Sequence, residues 1–211
     1  FFGRETRKSG LRLRDGEHRH HARAVRALAL LVRQPRFIEA HRLGPFVERA
    51  ADVSVVTDLM VHDLDILLAI VPGEIRSILA VGTRVVSDHI DIANARIEFD
   101  SGCVANVTAS RVSPEKQRRI RIFEPDAYMA LDYARQEIEV YRKQAPLAPG
   151  GRAQIVRETV HVEKGESLRE ELIAFLDAVR ERKTPIVSGR DGLRALVLAE
   201  EIEMRIGQSC K

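Results

Sequence analysis

The sequence predicts an α+β fold in which helices cover one face of an open, predominantly antiparallel β-sheet. Seven β-type segments follow one another between residues 75 and 162. Most are separated only by short turn clusters, which join antiparallel neighbours, whereas a crossover to a parallel neighbour takes a dozen residues or more. In the clearest pair, Asp91 to Phe99 and Cys103 to Ser110, Ala93, Ala95, Ile97 and Phe99 alternate with Ile92, Asn94, Arg96 and Glu98. One face of that pair is apolar and needs cover, and the other is mostly polar. Segments with helical spacing of apolar residues lie before and after the strands and can supply the cover.

Taken in order, residues 1–25 are rich in Arg and His and show no convincing period, so they read as a poorly specified lead-in. RAVRALALLVR (residues 23–33) predicts a short helix ended by Pro35, because the residue before a proline is pushed out of the helical region. RFIEAHRL then reads as a strand stopped by Gly44-Pro45. From Val55 to Val71 the residues Val56, Met60, Leu64, Leu67 and Val71 form one buried helical stripe, which Pro72-Gly73 ends. Strands follow at Ile75 to Val86, Asp91 to Phe99, Cys103 to Ser110, Arg119 to Phe123, Ala127 to Tyr133, Ile138 to Tyr141 and Ile155 to Val162. Pro146 to Gly151 is a loop. Two closing helices carry Leu168, Leu172, Phe175, Leu176 and Val179 on the first, and Leu193, Leu196, Val197, Ile202 and Ile206 as the buried side of the second. Ser167 and Glu170 have capping-box spacing.

Composition narrows the function. The 211 residues are 45% hydrophobic and 31% charged, enough for a real core, and no apolar run reaches the 18 or so residues of a membrane span. The net charge of +3 is local: residues 1–50 hold 12 Lys+Arg against 5 Asp+Glu, and the remainder 22 against 26. With 6 Lys among 34 basic residues, no Trp and 3 Tyr, the chain has no aromatic interleaving for stacking bases, and nucleic-acid binding is disfavoured. Cys103 and Cys210 are too far apart for a disulfide framework or a paired zinc site, so a reducing cytoplasm is expected. Phe1-Phe2-Gly3-Arg4-Glu5 has neither an initiating Met nor signal-peptide order and reads as a start within a gene.

Chemistry concentrates on the Val55 to Val71 helix. Asp58, His62 and Asp65 fall at i, i+4 and i+7, within about 60° of one another on an ideal α-helix. A carboxylate one turn from an imidazole can fix its tautomer and raise its basicity, and such a His exchanges protons near neutral pH. The plainer alternative is that both Asp side chains face water and His62 is a satisfied structural residue. A metal site from His62, Asp63 and Asp65 is not expected, because Asp63 points about 100° away from His62. His18, His20 and His21 lie in the lead-in and are not read as ligands. No G-x-G-x-x-G follows a strand anywhere in the chain, so no dinucleotide site is visible.

Asp58-Leu59-Met60-Val61-His62-Asp63-Leu64-Asp65 resembles the D-x-x-x-H-x-x-D helix of the Gfo/Idh/MocA oxidoreductases. Glu39 to Phe46, Asp91 to Arg111 and Ile120 to Tyr133 are similar to the subgroup acting on UDP-linked amino sugars, and residues 171–202 resemble the family's final two helices. The similarity runs from about Arg36 to the end. It implies an α+β domain with an open, predominantly antiparallel (mixed) sheet that binds substrate and mediates oligomerisation, here residues 26–211 after a junction remnant at 1–25. It further implies that His62 is the acid/base that takes a proton from a sugar hydroxyl and that Asp58 orients or assists it. His41 and Arg42 are placed by it to meet the substrate's phosphates or carboxylate.

NAD or NADP would then belong to the full-length protein, held by a dinucleotide-binding domain, with none expected to bind this chain alone and no metal. The expected activity is that of an NAD(P)-dependent sugar or nucleotide-sugar dehydrogenase to which this chain contributes the acid/base, while the chain alone is expected to be inactive. Expected partners are a sugar or nucleotide sugar and a second copy through the sheet, without nucleic acid or membrane. The chain departs from the family pattern at Glu17 to Arg23, which a locally shifted reading frame would explain. The rival reading is a non-catalytic remnant that dimerises and binds sugar.

Overall fold

The computed structural model describes residues 23–48, 52–145, 152–162, 165–183 and 188–209. The lead-in at 1–22, its three histidines, the Pro146 to Gly151 loop and Cys210 lie outside them. Helix α1 spans Arg23–Leu31 and strand β1 Phe37–Leu43. A π-helical turn at Val56–Met60 runs on into α2 at Val61–Ile70. Seven strands follow: β2 Ile75–Thr83, β3 Ile92–Phe99, β4 Val104–Ser110, β5 Gln117–Phe123, β6 Ala127–Asp132, β7 Glu137–Gln144 and β8 Gln154–Thr159. Helices α3, Ser167–Arg180, and α4, Gly189–Ser209, close the chain.

The strands make one eight-stranded sheet in the order β2-β3-β4-β1-β5-β6-β7-β8. Every neighbouring pair is antiparallel except β1 with β4, so the sheet is mixed, as expected. Its topology has a simple cause. After β1 the chain crosses one face as α2, re-enters at the far edge as β2, and meanders back through β3 and β4 until β4 lies beside β1. The β4–β5 connection must then pass over the end of β1. There the Gly44 N–H donates to Ser110 O at 2.9 Å and the Ser113 N–H to Gly44 O at 3.0 Å, joining the loops that follow β1 and β4.

Alternation sorts the two faces as the sequence indicates. Ala93, Ala95, Ile97 and Phe99 are buried, with Ile38, Val107, Ile120 and Met129 beside them on the helix-covered side. All five residues of the predicted α2 stripe are buried as well. On the opposite, open face an aromatic row crosses four strands, with ring centroids 5.7 Å apart for Phe37 and Phe123, 5.1 Å for Phe123 and Tyr128, and 5.9 Å for Tyr128 and Tyr141. Beside it run the pairs Arg121–Glu39 at 2.7 Å and Arg119–Glu139 at 3.2 Å.

The closing helices differ from expectation. On α4 the buried side is Ala195, Leu198, Ala199, Ile202 and Ile206, while Leu193, Leu196 and Val197 are exposed. The helix has two apolar stripes, and the one with small residues faces the sheet, where bulkier side chains would hold α4 off β2 and α2. Gly82 shows how close that approach is: a β-carbon there would lie 3.0 Å from the Ile206 side chain. The α3 residues Leu168, Leu172, Phe175, Leu176 and Val179 are all exposed. Glu170 meets Arg23 Nε at 2.6 Å, tying α3 to α1, while the Ser167 side chain of the expected capping box lies outside the described ones.

The β2–β3 connection is wound around one carboxylate. Asp91 is fully buried, and its Oδ2 accepts the N–H groups of Val85, Val86 and Ser87 at 2.7 to 2.9 Å. Its Oδ1 accepts the Ser87 hydroxyl at 2.7 Å and Arg111 Nε at 2.9 Å. Arg111 in turn donates from Nη2 to Val53 O and to Ile90 O, fixing the segment that enters the π turn. Burial alone would raise the Asp91 pKa, but the Ser87 hydroxyl and the three backbone N–H groups hold it far below the ordinary 3.8. A depressed folded-state pKa stabilises the fold above the unfolded value and loses that stabilisation as pH falls below about 4. Asp91→Asn is therefore expected to lower stability by about 3 kcal/mol at neutral pH, by breaking a buried charge pair. Urea titrations between about pH 6 and pH 2.5 should show a flatter acid limb in the variant, and an unchanged limb would assign acid sensitivity to another group.

Candidate active site

The residues singled out from sequence lie at the end of the sheet where the loops after β1 and β4 meet. Ser54 starts the helix: its hydroxyl accepts the Val56 N–H at 3.1 Å, and its carbonyl accepts the Asp58 N–H at 2.9 Å. The Val55 N–H donates to Ile90 O at 2.8 Å, so the helix entrance is pinned to the β2–β3 connection. The Val61 N–H then reaches back to Val56 O, the i→i+5 bond of a π turn. Thr57 Oγ1 donates to Glu203 at 2.8 Å and holds this turn against α4.

Asp58 and His62 are both half-buried, Asp58 in the π turn and His62 in the first turn of α2. The extra residue in the π turn means that the 100° step used to align Asp58, His62 and Asp65 holds only from Val61 onward. Asp65 is 5% exposed and lies beside Asp191 and Arg194 of α4, so it does not face water. No group of three His, Cys, Asp or Glu side chains among the described residues is arranged to hold a metal ion. Cys103 is buried, and burial pushes its thiol up to about 11 even with Arg36 opposing, which makes it a poor nucleophile.

His41 and Arg42 are not brought together. Successive strand residues point to opposite faces, and His41 lies on the open face of β1 between Thr108 and Arg119. Burial and the Arg121 charge lower its pKa, with Glu39 and Asp63 opposing. Arg42 turns towards the helices and is 2% exposed. Its Nε donates to Asp63 Oδ2 at 2.6 Å and its Nη2 to Oδ1, a bidentate pair between the central strand and the helix that carries His62. The guanidinium carbon also lies 5.3 Å from the centre of the Tyr133 ring. Burial opposes the Arg42 charge, and Asp63 outweighs it, raising the pKa above the usual arginine value. The 100° offset that excluded Asp63 from a metal set with His62 is what aims it at the sheet.

Three residues that shape this region have no role in the sequence-based expectation. Asp63 enters it only as a rejected metal ligand, and no sequence signal singles out Asp91 or Arg111. The partner of Asp63 was legible in principle, since a lone Asp on an apolar helix and a lone Arg on the inward register of a strand each need the other.

An eight-stranded mixed sheet with helices on one face, and a D-x-x-x-H segment on the helix that follows its central strand, is the arrangement of an oxidoreductase C-terminal domain. Residues 24–128 match the GFO/IDH/MocA C-terminal domain, and the chain belongs to this family. It is 36% identical over 172 residues to the UDP-N-acetylglucosamine 3-dehydrogenase of Acidithiobacillus ferrooxidans, covering 82% of this chain and 55% of that protein. A solved structure of that enzyme matches with a TM-score of 0.74. Aldose-aldose oxidoreductase from Caulobacter crescentus, complexed with glycerol, is 20% identical over 95% of this chain and 63% of that one, with a TM-score of 0.71. Levoglucosan dehydrogenase in complex with NADH and L-sorbose is 15% identical over 90% and 62%, with a TM-score of 0.73. These last two share the fold. The chain spans about half the length of the curated relative it matches.

Removing one partner of the Arg42–Asp63 pair strands a buried charge. Asp63→Ala is expected to cost about 3 to 5 kcal/mol, and Arg42→Met combined with Asp63→Leu to recover most of it, because two apolar groups of similar size need no pairing. Chemical denaturation of the single and double variants checks this, and an additive double variant would show that the two side chains do not depend on each other.

Proposed function

We propose that this domain is the substrate half of a nicotinamide-dependent dehydrogenase that oxidises a hydroxyl of a nucleotide sugar, with His62 as its acid/base. The observation that carries the proposal is the 36% identity to a UDP-N-acetylglucosamine 3-dehydrogenase across a stretch that includes Asp58 to Asp65. A half-buried imidazole next to a π turn supports it, since single π turns inside helices gather at functional sites.

Oxidising a secondary alcohol takes a proton from oxygen and a hydride from carbon. In this reading an imidazole nitrogen of His62 receives the proton, and Asp58, on the π turn just before it, orients the imidazole or assists the transfer. Arg42, committed to Asp63, acts as a positioning residue that docks α2 on β1. The described residues do not fit a dinucleotide. The helix after β1 opens at Val55 and Val56, without the glycine-rich turn whose N–H groups would cradle a pyrophosphate, and the proposal therefore assigns the hydride acceptor to another domain.

The open face of the sheet is proposed to bind a second copy of the chain. It presents the aromatic row and, at the β2 edge, Leu79 and Val81, which are 66% and 60% exposed, a combination that uncovered sheets rarely keep in solution.

In a protein that unites this domain with a dinucleotide-binding domain, His62→Ala should lower turnover by about 10² to 10⁴ with little change in nicotinamide affinity. Asp58→Asn should cost less, because it keeps the shape of a group that orients or assists His62. Steady-state kinetics at saturating sugar nucleotide and cofactor check both. Turnover near wild type in His62→Ala would leave the domain as a sugar-binding and dimerising module. For the sheet, light scattering at tens of micromolar should report a dimer or larger that Leu79→Asp with Val81→Asp weakens, and a stable wild-type monomer would refute the interface.

A further inference from the structure

We propose that Arg118, at the start of β5, is the residue that meets the diphosphate of the nucleotide sugar; this rests on the substrate reading above and names the group that recognises its charge. Arg118 pairs directly with Arg42 across the antiparallel β1–β5 ladder, so both side chains leave the sheet on the helix-covered side, about 5 Å apart at their α-carbons. Two guanidinium groups therefore share one end of the sheet with one carboxylate. Asp63 spends both oxygens on Arg42, which is buried.

Arg118 is exposed and has no ion-pair partner among the described residues. Partial burial and the Arg42 charge lower its pKa, and Asp63 offsets this only in part. A cation held against another cation at the edge of a packed site is an unfavourable arrangement until an anion arrives, and functional sites use such arrangements to bind one.

The location fits the ligand. Asp63 follows His62 in the chain, so the uncompensated charge lies beside the helix turn that carries the proposed acid/base. The β4–β5 connection, which ends two residues before Arg118, arches over the end of β1 and is bonded to Gly44 through Ser113. A sugar presented to His62 would carry its diphosphate towards this rim, and a planar, permanently charged guanidinium matches phosphate oxygens well. Arg42 cannot serve, because turning it to a ligand would abandon Asp63 in the interior.

The test is a calorimetric titration of the purified 211-residue chain with UDP and, separately, with uridine. Wild type should bind UDP about tenfold more tightly than uridine, the usual worth of one charge-assisted contact. Arg118→Ala and Arg118→Gln should both bring that ratio close to one, while Arg118→Lys should keep part of it. Arg119→Ala, one residue on and facing the other side of the sheet, should leave it unchanged. Equal affinity of wild type for UDP and uridine, a ratio that survives both Arg118 variants, or an equal loss in Arg119→Ala would each overturn the assignment. Failure of the dehydrogenase reading is told apart by turnover: preference for UDP through Arg118 in a protein that oxidises no nucleotide sugar would leave the anion site standing without the reaction.

Discussion

The arrangement depends on the buried pair between Arg42 and Asp63. Strand β1 is the fourth of eight and the meeting point of the two meanders, and α2 is the crossover that makes β1 and β4 parallel. A helix crossing an alanine-rich sheet by apolar contact alone could slide or rotate by a residue at small cost, since alanines offer few distinct pockets. Two charge-assisted bonds at one point remove that freedom, because a shift of one residue would leave a guanidinium and a carboxylate unpaired in the interior. The rotation of α2 about its axis is thereby set, and with it the side on which His62 emerges. A buried ion pair of this kind contributes to stability mainly by making its absence costly, and its structural effect is a defined register.

A second carboxylate does similar work at the helix entrance. Asp91 gathers a loop that would otherwise have three unpaired N–H groups, and through Arg111 it reaches the carbonyls of Val53 and Ile90. The π turn follows directly. A wide turn is less favourable than α-helix because its backbone packs less well about the axis, so it needs support on both sides. Ser54 and Arg111 hold it from before, and Thr57 with Glu203 holds it against α4. The segment carrying Asp58 is thus kept in an uncommon geometry by polar contacts from three separate parts of the chain, whereas the apolar stripe of α2 secures the remainder.

Much of this was legible in the sequence because alternation and helical spacing are local. The β3–β4 pair could be placed around Gly102, whose φ of +80° suits the turn, and the α2 stripe from Val56 to Val71 was readable residue by residue. Less accessible was anything set by a choice between equivalent options. Helix α4 carries two apolar stripes, and only the approach of Gly82 and the small residues Ala195 and Ala199 decides which is buried. The spacing of Asp58 to His62 was read on an ideal α-helix, and a π turn leaves no periodic mark over five residues. Asp91 and Arg111 lie 20 positions apart, and a pair joined only by tertiary folding has no pattern to betray it.

The same logic explains why adjacent residues of β1 have different fates. His41 and Arg42 are neighbours in sequence, yet the pleat sends one to the open face, among Glu39, Arg119 and Thr108, and the other into the helix layer. The central strand therefore contributes to two surfaces at once: a polar and aromatic face suited to association, and a covered face whose end holds the helix of the proposed acid/base. Arg118 and Arg119 repeat this division one strand away. Charge on the open face is balanced locally by Glu39 and Glu139, while on the covered face three charged groups leave one positive charge over. The difference between the two sides of a single pair of strands, one neutral by pairing and one short of an anion, is what separates the surface proposed to meet a second copy from the rim proposed to meet the diphosphate.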